Sequence, residues 1–133
     1  MTKISNFVSA GGGLYVEDAG SYSWVPTSGV TGTTAGGAGA ADSIGIAATT
    51  HPIASGVTDS GLDNWLNSSH NDFSGTGGLT SVFVNDLTNL PVLIAGSFGS
   101  GRVVYSGLHT AAHSGTGDSQ LVLKNIMAFV DQL

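Results

Sequence analysis

At 133 residues the chain has room for one domain, 1–133, with a single core. Only 9% of its residues are charged, and nine acidic side chains face three basic ones, for a net charge of −6. That balance cannot neutralise a row of phosphates, which argues against a nucleic-acid partner. No apolar run reaches the ~18 residues of a bilayer span, so no membrane insertion is expected. The absence of cysteine removes disulfides, thiolate nucleophiles and Cys-ligated zinc.

Residues 2–10, "TKISNFVSA", carry Ile4, Phe7 and Val8 at helical spacing, and "GGG" stops the pattern. "LYVED" then reads as a short strand at 14–16. Residues 19–42 form a long Gly/Ser/Thr/Ala loop that Trp24 and Val25 would pin to the body. "SIGIAA" at 43–48 is a weak strand, and His51–Pro52 forces a turn or extended backbone. "LDNWLNSSHNDF" is a short helical turn and loop. Strands at 79–85, 92–97 and 102–107 follow, the last two joined at "GSG" as an antiparallel hairpin. Residues 118–132 form a helix with Asp118 as N-cap; Val122, Ile126, Phe129, Val130 and Leu133 share its apolar face, widened by Leu123 and Met127.

The candidate chemistry centres on "GRVVYSGLHTAAHSGTGD", where a β-forming run ends in glycine before His109 and His113. His109, leaving a sheet, is the candidate catalytic base; its orienting carboxylate would be Asp118, Asp72 or Glu17. His109 and His113 stand four residues apart, as metal ligands on a helix would. The segment is too rich in Gly and Ser for a stable helix, and no third ligand has obvious spacing, so no metal or cofactor is expected. His51 reads as a turn-former and His70, in "SSHND", as solvated. Asp59, Asp63, Asp72, Asp86 and Asp118 fit no calcium loop and read as turn and cap residues. "GSFGSGR" and "GGAGAAD" lack the lysine of a phosphate loop. Trp24, Trp65, Tyr15 and Tyr22 would stack on a sugar ring or serve as core anchors.

The order "FVSAGGGLYVED", "HPIASGV", "LPVLIAGSFGSGRVVYSGLHT" and a closing apolar helix resembles the C-terminal part of the class I glutamine amidotransferase-like fold, with the ThuA-like trehalose-utilisation group nearest. The resemblance implies an α/β fold: a small Rossmann-like or flavodoxin-like layered sheet with a C-terminal antiparallel hairpin and flanking helices, truncated at its N-terminus. It places His109 beside the family's cleft. The nucleophile-bearing strands have no counterpart and cysteine is absent, so the protein is not expected to be a glutaminase.

Two functions follow as expectations. The first is a non-catalytic module for binding or self-assembly, partnered by copies of itself as a homo-oligomer or polymer, because a weakly charged surface and an open sheet edge favour association. The second is a ThuA-like hydrolase or carbohydrate-active enzyme using His109 on a small-molecule or sugar ligand. Gly, Ser, Thr, Ala and Asn replace charge as in secreted proteins, which suggests an extracellular or cell-surface location, although "MTKISNFVSA" is no signal peptide.

Overall fold

A computed structural model describes residues 2–17, 29–30, 35–37 and 41–132. Helix α1 (Lys3–Ser9) is capped by Thr2, whose hydroxyl accepts from the Ser5 N–H at 3.1 Å. The chain then runs through strands β1 (Gly13–Val16), β2 (Ala35–Gly37) and β3 (Ile44–Ile46), a 3₁₀ turn (Pro52–Ala54) and the one-turn helix α2 (Asp59–Leu62). Strands β4 (Asp72–Phe73), β5 (Thr80–Asn85), β6 (Pro91–Phe98) and β7 (Gly101–Ser106) lead to the closing helix α3 (Ser119–Val130). The sheet has five strands in the order β1-β7-β6-β5-β3. Among the described residues, only β1 and β7 pair in parallel; β3–β5, β5–β6 and β6–β7 are antiparallel. The α/β class and the C-terminal hairpin expected from the sequence are both present.

Alternation along β7 explains the two layers. Val104 points to the face covered by α3 and the 3₁₀ turn, with Ile53, Val122 and Ile126. Val103 and Tyr105 point to the other face, with Val8 of α1, Phe73 and Ile94. In the hairpin, Gly99 adopts φ +61°, the left-handed conformation that a two-residue connection with glycine first requires. That turn packs on α1, where the Ser100 N–H donates to the Ser9 carbonyl at 3.0 Å.

Three expectations change. Asp118 stands at the N-cap position of α3 but caps nothing with its side chain; its carboxylate instead accepts from the N–H and hydroxyl of Thr58, at 2.9 and 3.0 Å. Phe129 is half-buried and Met127 is 51% exposed, because α3 meets the sheet along the narrower stripe of Val122, Ile126 and Val130. The long loop contains β2, paired with β4 as a separate two-stranded ribbon. Trp65 is fully buried, as a core anchor is, and offers no face to a sugar. Trp24, Tyr22 and Leu133 lie outside the described residues.

Candidate metal centre

The chain goes on bridging its neighbours past Ser106, the last residue of β7. Beyond it, Leu108 bridges Ser69, which in turn bridges Ala41, so three segments lie side by side past the sheet's end. The His70 N–H donates to the Gly107 carbonyl at 2.8 Å, and the His109 N–H to the Ser68 carbonyl at 3.3 Å. Gly107 makes this possible, since a Cβ there would overlap the Asn71 carbonyl oxygen. The glycine that ends the β-forming run therefore lets a second chain segment cross the strand end and carry His70 to His109.

The crossing segment is tightly held. Asn64, Leu66 and Asn67 take left-handed backbone conformations, with φ of 60°, 60° and 73°. Asp42 fixes them: its carboxylate accepts from the N–H groups of Asn67 and Ser68 at 2.6 and 3.0 Å, and its carbonyl from Asn64 at 3.0 Å. A residue such as Leu66 in this region is costly, by about 1–3 kcal/mol, and such conformations concentrate at functional sites.

His113 arrives from the other side. Residues 109–113 make a single turn in which the His113 N–H donates to the His109 carbonyl at 3.1 Å. The Ser119 hydroxyl, in the first turn of α3, ties down the His113 carbonyl at 2.7 Å. The buried Trp65 indole lies beneath, its ring 6.3 Å from His113 and its N–H donating to the Gly61 carbonyl at 2.8 Å.

The result is a triangle of imidazoles. Ring centroids are 4.9 Å apart for His70 and His109, 5.6 Å for His109 and His113, and 6.1 Å for His70 and His113. One nitrogen from each lies within 4.8 Å of the other two. All three rings are half-buried. His113 Nε2 is shielded from solvent and has no hydrogen-bond partner among the described residues. A buried polar atom without a partner costs about 1–3 kcal/mol, which a ligated cation would remove. Nitrogens bound at about 2.0–2.1 Å in a tetrahedral shell lie roughly 3.3 Å apart, so ring movements of about 1 Å close the triangle on an ion.

A second polar cluster flanks His109. Glu17, just past the end of β1, accepts from the hydroxyls of Tyr15 at 2.7 Å and Thr110 at 2.6 Å, and from the Ala111 N–H at 3.5 Å. Tyr15 and Thr110 are themselves 2.8 Å apart. Burial pushes the Tyr15 phenol well above its usual range, and the neighbouring Glu17 reinforces the shift while the Thr110 hydrogen bond opposes it. Tyr15 is thus a neutral donor, and Glu17 staples the histidine turn to the sheet.

The structure revises several sequence readings. His70 is not a solvated loop residue but the third member of the cluster, so the expectation of no metal gives way to a candidate site. Neither Asp118, engaged with Thr58, nor Glu17, engaged with Thr110, makes a hydrogen bond to His109 among the contacts described. Asp72 is buried in β4, and burial raises its pKa. His51 is the turn-former expected: its Nδ1 accepts from the Ile53 N–H at 3.2 Å. Asp59 and Asp63 hold the backbone of Ile46 and Ile44, at 3.0 and 2.8 Å, as turn aspartates do.

No family model and no curated protein matches this sequence. Among solved structures, the chain is similar to the cytoplasmic protein STM3548 from Salmonella typhimurium, with a TM-score of 0.69 at 15% identity. The match covers 96% of this chain and 58% of that one, so the chain spans little more than half the neighbour's length. The likeness supports the α/β fold. That neighbour is named a cytoplasmic protein, which points away from the extracellular or cell-surface location expected from composition, and that expectation is withdrawn. Among the described residues, no helix is long and apolar enough to cross a membrane.

Proposed function

We propose that this protein is a metal-binding module in which His70, His109 and His113 hold one divalent cation of the zinc class. The carrying observation is the convergence of three half-buried imidazoles, one with a shielded nitrogen that lacks a hydrogen-bond partner among the described residues. Three neutral imidazoles suit zinc, copper, iron or nickel and leave a fourth tetrahedral position for water or substrate. A cation held this way lowers the pKa of its water to about 7, the chemistry of hydrolysis and hydration. On this reading His109 is a ligand, not a general base, and the hydrolase alternative would act through the metal. The self-assembly module rests on a weakly charged surface and an expected open sheet edge and is the less supported reading.

Competition titration with zinc tests the proposal. The wild-type chain should bind one equivalent. His70→Ala, His109→Ala and His113→Ala should each weaken binding by about a hundredfold or more, beyond the 10–100-fold typical of losing a supporting residue. His51→Ala should bind as the wild type does. Unchanged zinc affinity in all three cluster variants would overturn the assignment.

A further inference from the structure

The start of β7 and the last turns of α3 enclose a cleft of about 320 Å³ lined by Pro52, Arg102, Asn125, Ala128, Phe129 and Gln132. It lies far from the cluster of His70, His109 and His113. Arg102 is near the start of β7, whereas His109 follows its end. Phe129 is in the last turn of α3, whereas Ser119, in the first, touches His113; twelve helical residues span about 18 Å. The cleft therefore belongs to a different site.

Arg102 is the unusual group in it. The chain has three basic residues against nine acidic ones, yet no carboxylate among the described residues pairs with this half-buried guanidinium. Ser97 accepts one of its N–H groups, and the Phe129 ring lies 5.3 Å beneath it. Among the described residues, four of the five donors of its planar fork make no hydrogen bond. The walls are fixed: the Asn125 amide donates to the Ile53 and Ser55 carbonyls at 3.0 and 2.9 Å, and the Gln132 amide to Gly11 and Ser100 at 3.1 and 3.3 Å. The His51 ring packs on Phe129 with centroids 5.0 Å apart. Burial, and then the Arg102 charge, hold that imidazole below its usual pKa, so Arg102 is the cation of the pair at neutral pH.

We propose that this cleft binds a small carboxylate with a flat apolar body, the carboxylate forked by Arg102 and the body lying on Pro52, Ala128 and Phe129. Arginine matches a carboxylate with two parallel hydrogen bonds. A cleft at the small end of ligand-pocket volumes suits a molecule of this size and not a peptide.

Backbone and side-chain NMR of the full chain, titrated with benzoate and with its neutral isostere benzamide, tests the proposal. Benzoate should give saturable shifts at Arg102 Nε, Phe129 and Gln132, with signals of the histidine cluster unmoved. Benzamide should bind at least tenfold more weakly, and Arg102→Gln should weaken benzoate by a similar factor, with Arg102→Lys between. The comparison of the two ligands on wild-type protein stands even if the variants misfold. No saturation by benzoate up to about 50 mM would overturn the proposal, as would equal binding of benzamide.

Discussion

Glu17 shows how one carboxylate can shape a site it does not enter. It receives Thr110 and Ala111, the two residues after His109, and so fixes the start of the turn that ends at His113. Glu17→Gln should therefore weaken zinc binding about 10–100-fold, the usual cost of losing a supporting residue, while circular dichroism of the metal-free protein stays unchanged. Undiminished affinity in this variant would leave the staple without a role in the site. His51 carries a prediction in pH. Its imidazole, held below the ordinary value of about 6.5 by burial and by Arg102, takes up its proton more readily in the unfolded chain. Its contribution to stability is thus complete above about pH 6.5 and is lost as pH falls below that value through the folded pKa. Urea titrations at pH 7.5 and 5.5 should show a stability loss that His51→Asn, which keeps a capping acceptor, reduces. His109 and His113 were visible as candidates because they stand four positions apart. His70 was not, because contact between residues 70 and 109 depends on a backbone crossing and leaves no spacing in the sequence.

Among the elements, the strands and α3 were legible because their patterns are local. Alternation in "LPVLIAGSF" and "GRVVYS" places side chains on two faces whatever covers them, and a glycine-led junction dictates a hairpin. Depth of burial was not legible in the same way. Phe129 sits on the expected face of α3, but its ring flanks Arg102 and His51 and stays half-buried. Phe129→Ala should therefore cost about 1–2 kcal/mol in denaturant titration, below the 3–5 kcal/mol of a fully buried phenylalanine. The segment 64–70 was the least readable. Its left-handed residues are stabilised by Asp42, more than twenty positions upstream, and by the space above Gly107. Gly107→Ala would press a methyl group into the Asn71 carbonyl, displacing His70. Zinc affinity should fall at least tenfold in this variant, more steeply than the melting temperature suggests. A variant with wild-type zinc affinity would show that the crossing does not position His70.

For the molecule as a whole, the sheet holds two polar sites at opposite ends of β7 and α3, built from few charges. A chain with a net charge of −6 attracts cations over its whole surface, so weak metal uptake alone would not distinguish a built site from general attraction. Geometry does distinguish them. The α/β class was implied by the order of motifs and the fold they resemble, whereas the histidine centre emerges only when β1, β7 and the crossing segment are assembled. The direct test is a crystal structure of the zinc-loaded protein with data collected on both sides of the zinc absorption edge. The account predicts one strong anomalous peak with nitrogens of His70, His109 and His113 at about 2.0–2.1 Å. A histidine cluster without a peak, or zinc held only by surface carboxylates, would contradict it.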